Sequence, residues 1–410
     1  MNVCASWAKV CAKYIGCVST IAIILVGCTS TGPSNSESFG NRKVEVSTVA
    51  SPEQLALIRR RTLRETELLS QPQTAESAAE LALLHHPAVE RTLENLDMPG
   101  FDRLLLAHTV NPDFNGGVAP STVDTRIERS ISVNLMTWVS VPALASESVE
   151  LRSTRVQAAD EVVAMLFAAR RAWVYAVAAR QSVVYLEDVL AAAEVGRDVM
   201  QNMRQIGNAT ELEFLRAQSV YADALASLTA AQAAAAIERE RLVQAMGLWG
   251  AEAERVRLPE RLPNLPITAV GPDGLEARAV SQRFDVRVGR LEGLAGEAGV
   301  NARADVRSAW LAYRAEYDLA KHSLEAIVPL AQRVSAEQLK LYNGMLVGVM
   351  DLIADATQRT NAVSAALHAQ RNFWLAEIEL QRAMSGVGVS AVAPPNGANT
   401  LSSEVVSHAH

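Results

Sequence analysis

A tandem duplication constrains the fold of this 410-residue chain more than any other sequence feature. The segment Arg170-Arg171-Ala172-Trp173 recurs as Arg307-Ser308-Ala309-Trp310, so the two tryptophans are offset by 310 − 173 = 137. Because further matches share this offset without a gap, the chain is predicted to contain two copies of one supersecondary unit. The further matches are Ile206-Gly207 with Asn343-Gly344, and Leu215-Arg216-Ala217 with Leu352-Ile353-Ala354.

Each copy has the pattern of a long helical hairpin. In the first copy, apolar residues recur in steps of four and three, and a strict seven-residue repeat predicts a helix that supercoils against its neighbours. We predict this helix from near Ala145 to near Gln205. Aromatic residues make up only 5 % of the chain and alanine is abundant, which suits closely packed helices better than one thick core. The heptad positions are Met165, Ala169, Ala172, Ala176, Ala179, Val183, Leu186, Leu190 and Ala193.

Glycine marks the turn of each hairpin. Gly207-Asn208 ends the first long helix, and Thr210 with Glu213 forms a capping-box pattern that begins the returning helix. In the second copy the turn lies at Asn343-Gly344, and the returning helix begins near Gly348. The returning helices are predicted to end near Met246 and Met384.

The N-terminus is predicted to be a targeting segment. Lys9 and Lys13 precede an apolar run over residues 18–26, which is too short to span a bilayer because a spanning helix needs about 20 apolar residues. The run ends in Leu25-Val26-Gly27-Cys28, which resembles a bacterial lipobox, whose cysteine is diacylated before cleavage and then acylated on its new amine. An ordinary signal peptide with a chance cysteine is the alternative. Thr29 after the cysteine favours the outer membrane, by resemblance to sorted lipoproteins.

Cysteine usage and charge exclude several function classes. None of the four cysteines lies beyond Cys28, so the exported chain is expected to have neither disulfides nor a thiolate metal site. Removal of Lys9 and Lys13 changes the formal charge from −7 to −9, and an acidic chain is not expected to bind nucleic acid.

The chain divides into six predicted segments. The proline-rich stretch 258–274 is expected to be a non-helical connector between the two copies, and residues 29–72 and 387–410 are expected to be irregular. The segments are a signal peptide (1–27), a lipidated linker (28–73), a first repeat (74–248), a connector (249–274), a second repeat (275–386) and a tail (387–410).

The ordered set of motifs resembles the TolC-like family of outer-membrane efflux proteins, over roughly residues 74–386. In that family each half has a short helix, a β-hairpin, a very long helix, a tight turn and a returning helix. The turns here read Gly207 followed by residues 213–218 (EFLRAQ), and residues 342–352 (YNGMLVGVMDL), which are similar to a branch linked to metal export. In the family, each half usually begins with Asn-Pro or Arg-Pro-Asp. The corresponding segments here are His86-Pro87 in the first half and Arg283-Phe284-Asp285 in the second.

The resemblance implies a mainly α protomer of a homotrimeric helical tunnel that ends in a twelve-stranded barrel in the outer membrane. The tunnel would dock on a periplasmic adaptor protein and an inner-membrane pump. Asp351 and Asp355 lie where acidic residues of the family ring the entrance; two solvated carboxylates favoured by the helix dipole are the alternative. The tip positions that would contact the adaptor are Gly207, Asn208, Thr210, Gly344, Met345 and Gly348.

The second half departs from the family pattern. Pro87 pairs with Phe284 at an offset of 284 − 87 = 197, whereas the later matches have an offset of 137. The second half is therefore shorter by 197 − 137 = 60 residues between its entry helix and its long helix. In the first half this interval has strand signals over 127–139 and 104–106, with a turn at 115–117, whereas in the second half only 296–301 remains for a tight turn. One β-hairpin per chain would give a trimer six strands.

Even a barrel of eight strands has an interior just wide enough for side chains, so a barrel of six strands could not conduct anything. Three alternatives therefore stay open: assembly of more than three chains, a lipid-anchored periplasmic duct without a true barrel, or a degenerate gene.

The pattern favours a passive export duct for small molecules or metal ions, whose cargo the pump would select. The alternative is a structural helical lipoprotein that transports nothing. An enzyme is not expected, because His85-His86 and His322 lack a nucleophile or carboxylate set at a useful spacing, and no catalytic or phosphate-binding motif is present. We expect no catalytic residue, no cofactor and no metal ligand, and only covalent lipid such as palmitate on Cys28.

Overall fold

The computed structural model describes residues 52–94 and 149–386, and all regular secondary structure in these two ranges is helical. The predicted fold class is confirmed, because two long helical hairpins follow one another in the chain. The predicted β-hairpin, Cys28 and the tail lie outside the described residues. The helices are α1 (Pro52–Ser70), α2 (Ala75–His85), α3 (Pro87–Glu94), α4 (Val149–Gln205), α5 (Glu211–Met246), α6 (Ala251–Glu254), α7 (Leu275–Gln282), α8 (Phe284–Glu292), α9 (Ala295–His322), α10 (Val328–Asn343) and α11 (Val349–Ser385).

The first hairpin pairs α4 with α5, and the second pairs α9 and α10 with α11. With 57 residues, α4 is about 85 Å long at 1.5 Å per residue. It ends at the predicted Gln205, and α5 ends at the predicted Met246. All nine predicted heptad positions of α4 are buried or half-buried, so this stripe is its packing face. Because α11 also packs against α4, the two hairpins contact each other through these helices.

The duplication is visible in one pair of equivalent hydrogen bonds. The indole Nε1 of Trp173 donates to the carbonyl of Gln73 at 2.8 Å, and that of Trp310 donates to the carbonyl of Val270 at 3.0 Å. The tryptophans are offset by 310 − 173 = 137 and their acceptors by 270 − 73 = 197. Both predicted offsets therefore describe equivalent positions in the fold.

The second repeat joins its entry helix directly to its long helix. The helix α8 ends at Glu292, Gly293 adopts a φ of +80°, and α9 begins at Ala295. We predicted this turn over residues 296–301, and that position is wrong, because these residues are helical. The left-handed conformation of Gly293, together with the hydrogen bond from Leu294 N to the Gly289 carbonyl at 2.7 Å, completes the reversal earlier.

Residues 52–70 form α1, although the sequence pattern predicted irregular chain there. Pro52 occupies the first helical position, and no further proline or glycine follows before Pro72. The helix is stabilised by tertiary contacts that no local pattern reveals. Arg64 donates to both carboxylate oxygens of Glu80 at 2.6 and 2.9 Å, and Leu68 and Leu69 are buried.

The connector over 258–274 is non-helical, as predicted. Side chains from the second repeat bind its backbone: the Tyr317 hydroxyl donates to the Pro266 and Ile267 carbonyls at 3.0 Å, and Gln370 donates to the Pro263 carbonyl at 2.8 Å. A proline-rich segment that offers few amide donors is thus ordered through its carbonyls.

One turn of the second long helix is a π-turn, Ser323–Ile327, in which Val328 N–H donates to the Ser323 carbonyl five residues back. Pro329 explains its position, because in a regular α-helix the proline ring would clash with the carbonyl of Glu325. The wider turn relieves this clash and accommodates one extra residue. The offset between the repeats is consequently larger by one beyond this point.

Candidate functional site

The first tip, residues 206–210, reverses the chain between α4 and α5. Gly207 has a φ of +80°, and Asn208 N donates to the Met203 carbonyl at 2.8 Å. Thr210 and Glu213 form the predicted capping box: Glu213 N donates to Thr210 Oγ1 at 3.3 Å, and Thr210 N donates to Glu213 Oε2 at 2.7 Å. The turn and its caps leave a short, well-defined loop.

Charged and aromatic side chains brace this tip. Arg204 binds Glu211 across the turn at 2.5 Å, and its guanidinium lies 4.2 Å from the ring centroid of Phe214. A guanidinium held by both a carboxylate and an aromatic face connects the last turn of α4 to the first turn of α5. The first tip is therefore polar and cross-linked by side chains.

The second tip, residues 344–348, has the same backbone path. Leu346 N donates to the Leu341 carbonyl at 2.9 Å, and Gly348 N donates to Asp351 Oδ2 at 2.8 Å, so Asp351 caps α11 as Glu213 caps α5. The left-handed residue is Met345, with a φ of +58°, whereas Gly344 has a φ of −82°.

The predicted pairing of Gly207 with Gly344 is therefore wrong by one residue. Gly207 and Met345 are structurally equivalent, at an offset of 345 − 207 = 138, and the same shift moves the partner of Leu215 from Leu352 to Ile353. The reason is the additional residue in the π-turn.

The second tip is apolar and exposed. No charged residue occurs between Leu341 and Met350. Met345 is 93 % exposed and Leu346 is 75 % exposed, whereas the first tip exposes Ile206 beside its charged pair. We predicted Met345 as a tip residue from the sequence; Ile206 and Leu346, which flank the left-handed residues Gly207 and Met345, are exposed apolar residues of the same tips.

The two predicted constriction residues have different surroundings. Asp351 is engaged with the backbone of Gly348, which accounts for it as a helix cap. Asp355 lies one turn further along α11 and is half-buried. Their spacing of four places both carboxylates on one face of the helix.

Two histidines noted in the sequence, His85 and His86, lie at the junction of α2 and α3. His85 ends α2, with Nε2 at 3.5 Å from Glu65, and His86 separates α2 from α3. Burial lowers the pKa of both imidazoles. The backbone there touches the C-terminal end of α5 closely, because a Cβ at Gly247 would lie 2.6 Å from His86 Cα.

Among the exposed surfaces of the described helices, two faces have a regular coiled-coil spacing. We call the first of these the bulky face. It begins in the π-turn and continues along α10, with its residues three, four and seven positions apart, which is the spacing of a coiled coil. Within the described residues, α10 has no fully buried side chain. The bulky face consists of Ile327 (39 % exposed), Leu330 (54 %), Val334 (44 %) and Leu341 (41 %).

The second face, the small-residue face, runs along α5 in alternating steps of four and three. Small side chains let a second helix approach closely. We did not identify either face from the sequence, although both spacings are visible there. The small-residue face consists of the exposed residues Leu215, Ser219, Ala222, Ala226, Thr229, Ala233 and Ala236.

By length and composition, two described helices are apolar enough to cross a membrane: Asp160–Gln205 and Glu211–Met246. The apolar window of the first is 61 % buried, so its composition reflects packing in the core. The window of the second is only 11 % buried, so few of its apolar residues are fully buried in the described part of the chain.

Three solved structures share this arrangement. A membrane protein from Pseudomonas aeruginosa aligns with a TM-score of 0.54 at 12 % identity, covering 76 % of this chain and 93 % of its own. The CmeC outer membrane channel of Campylobacter jejuni gives 0.52 at 10 % identity, covering 76 % and 85 %. The outer-membrane channel OprN gives 0.50 at 14 % identity, covering 78 % and 92 %.

The chain has the fold of these three proteins, two of which are outer-membrane channels. No protein-family model matches it, and neither does any curated protein. The resemblance seen in the sequence motifs is thus confirmed at the level of the fold.

Proposed function

We propose that this chain is the outer-membrane duct of a tripartite efflux system, through which small molecules or metal ions leave the cell passively. The observation that carries the proposal is the pair of exposed helix faces on a fold shared with outer-membrane channels. A single copy leaves the bulky face of α10 and the small-residue face of α5 in water, and both have the spacing of packed helices.

The two faces favour self-assembly into a closed ring. They differ from each other, so contact between copies is heterologous, and such contacts form rings when the rotation closes. Leucine and valine of one copy would fit between the alanines of the next. We propose a trimer, the number that the resemblance implies.

The tips are proposed to contact the periplasmic adaptor, which in turn holds the inner-membrane pump. Met345 supports this role. A non-glycine residue at positive φ is strained, and Gly344 lies directly beside it. Packing within the chain does not explain this arrangement, because the Met345 side chain is 93 % exposed. Strain of this kind concentrates at functional sites. Asp351 and Asp355 would then lie near the entrance.

Cys28 is proposed to be acylated and to anchor the assembled duct to the outer membrane, with the helices in the periplasm. The only ligand that the proposal requires is this covalent lipid. The residues predicted to cross the membrane, between 95 and 148, lie outside the described residues.

A structural lipoprotein that transports nothing is the second candidate, and one observation favours it. The helices α8 and α9 are joined by Gly293 and Leu294 alone, so the second repeat contributes no segment to a barrel. Such a chain could still assemble through its helix faces, which makes conductance the deciding property.

The test uses the lipidated full-length protein in detergent and in a planar bilayer. We expect a defined oligomer by native mass spectrometry and discrete single-channel openings. Replacing Leu330 and Val334 by glutamate should abolish assembly. Leu339→Glu is the matched control, because Leu339 lies on α10, is 52 % exposed and points away from the bulky face.

Two outcomes would contradict parts of the proposal. Assembly of the double variant at the wild-type stoichiometry would eliminate the bulky face as the contact. A well-folded oligomer that never conducts would eliminate the channel and leave the structural lipoprotein.

A further inference from the structure

One carboxyl group in the contact between the two repeats is buried without a hydrogen-bond partner. Glu377 lies on α11, and its Oε2 accepts no hydrogen bond from the described residues. Its neighbour on the same helix differs: Glu379 binds Arg171 of α4 at 2.7 Å and Arg382 at 2.7 Å. Glu377 is thus the member of this contact whose charge is poorly compensated.

The charges around Glu377 come from three other helices. Arg170 of α4, only 7 % exposed, is the opposite charge that acts on it, and Glu76 of α2 adds a second negative charge. Tyr313 of α9 is the remaining titratable group that interacts with it. The opposing charge of Arg170 and the like charge of Glu76 therefore act on a carboxyl group whose Oε2 has no hydrogen-bond partner, and burial disfavours its ionised form.

We propose that Glu377 is a proton-operated latch between the two repeats: proton uptake on its carboxylate tightens the contact of α11 with α4, and proton release loosens it. No other reactant is required, since the step is protonation of a carboxylate to a carboxylic acid. The contact concerned is the one that joins the two hairpins.

The direction follows from the environment. Burial, together with the negative charge of Glu76, outweighs Arg170 and raises the pKa of Glu377 to about 7, from 4.5. The ionised form is the disfavoured one in the folded chain. The contact is therefore weakest above pH 7 and gains stability as the pH falls from about 7 towards 4.5.

Other titratable groups limit the useful pH range. Burial lowers the pKa of His85, His86 and His368 below 6.5, so these imidazoles favour the folded chain at higher pH and oppose the effect once the pH falls below that value. Burial raises the pKa of Glu316, whose Oε2 also lacks a partner, but Glu316 lies on α9 within the second repeat and interacts with Arg371 of α11. Because Glu377→Gln retains all three histidines, the difference between wild type and this variant from pH 8.5 to 6.5 isolates the contribution of Glu377.

The test is hydrogen exchange by mass spectrometry on the full-length protein, corrected for the intrinsic rate at each pH. Protection of peptides from residues 373–381 of α11 and 166–174 of α4 should rise about fourfold from pH 8.5 to 6.5, which is the change expected for a folded pKa near 7. Glu377→Gln, which mimics the protonated form, should keep high protection and lose this pH dependence. Glu379→Gln is the matched control on the same helix and should keep the dependence, as should Glu316→Gln.

A second variant keeps the proposal testable if Glu377→Gln does not fold. Glu76→Gln removes a negative charge that raises the pKa of Glu377, so the rise should move to lower pH. The latch is overturned by wild-type protection that does not change between pH 8.5 and 6.5, or by a pH dependence that survives in Glu377→Gln. Because no reading depends on conductance, either result is distinct from success or failure of the proposed channel.

Discussion

Gly207 and Met345 occupy the same position in the two hairpin tips. Each is the second residue after the end of its long helix, and each donates its N–H to a carbonyl three residues back, of Arg204 at 3.0 Å and of Tyr342 at 2.9 Å. Their φ angles are +80° and +58°. The left-handed position is thus occupied by a glycine in the first tip and by a methionine in the second.

Alanine substitution at the two tip glycines should distinguish the structural alignment from the sequence alignment. Gly207→Ala should lower the free energy of unfolding by about 1 kcal/mol, because a Cβ is disfavoured at positive φ. Gly344→Ala should change it little, because Gly344 has a φ of −82° and a Cβ there meets atoms no closer than 3.5 Å. Urea denaturation measures both, and equal losses would contradict the alignment.

Met345→Gly should stabilise the protein by up to about 1 kcal/mol through relief of the left-handed strain. The side chain is 93 % exposed, so its removal sacrifices no packing within the chain. Leu346→Gly is the control: Leu346 is also exposed but does not have a positive φ, so glycine should only destabilise. The shift in the urea midpoint decides the question, and a midpoint lowered by Met345→Gly would show that no strain is stored.

The π-turn should be removable if its one additional residue and its proline are removed together. Deleting Ala326 in a Pro329→Ala background should restore a continuous α-helix while α9 and α10 keep their contacts with α11. We expect a melting temperature within a few degrees of wild type, by the usual relation between small free-energy changes and melting temperature.

Deletion of Ala331 is the matched comparison, because it removes one residue of α10 without removing the π-turn. It rotates everything between the deletion and the second tip by about 100° relative to α11. A large loss of melting temperature is therefore expected. Equal behaviour of the two deletions would refute the account of why the tips are offset by 138 rather than 137.

Arg283 should be a principal stabilising residue of the second repeat. Its side chain is 2 % exposed and binds Asp285 at 2.7 Å and Asp305 at 3.1 Å. Arg283→Ala leaves two carboxylates without their counter-charge, which should cost about 3 kcal/mol, the lower end of the range for buried pairs, because both aspartates retain some access to water. Arg307→Ala breaks the exposed pair with Glu276 and should leave the unfolding midpoint nearly unchanged. Comparable losses from the two variants would contradict a special role for Arg283.

Local signals account for what could be predicted. The helix ends at Gln205 and Met246 and the capping box of Thr210 with Glu213 depend on residues within one or two turns of each other, and the structure has them where the pattern placed them. The duplication was equally readable, because Trp173 and Trp310 occupy equivalent hydrogen-bonded positions. The predicted β-hairpin and lipidation at Cys28 stay predictions, since they lie outside the described residues.

The errors arose where distant contacts decide the outcome. The helix α1 was missed because Glu80 and the surrounding core stabilise it from outside its own sequence. The turn into α9 was displaced because several glycines lie close together there, and the reversal uses Gly293, in the left-handed conformation, rather than Gly296 or Gly299.

The sequence by itself determined a duplicated set of long helices, their proline-rich connector and the residues available at each tip, since periodicity, proline and capping residues act over short stretches of chain. Tertiary structure alone decided which residues meet. Pro329 is visible in the sequence, but the sequence does not show that it shifts the equivalent tip positions by one residue. That shift arises because α9 and α10 both pack against α11 on either side of the π-turn. The same holds for Glu377, whose carboxyl is ordinary in isolation and is buried without a hydrogen-bond partner for its Oε2 only in the folded chain.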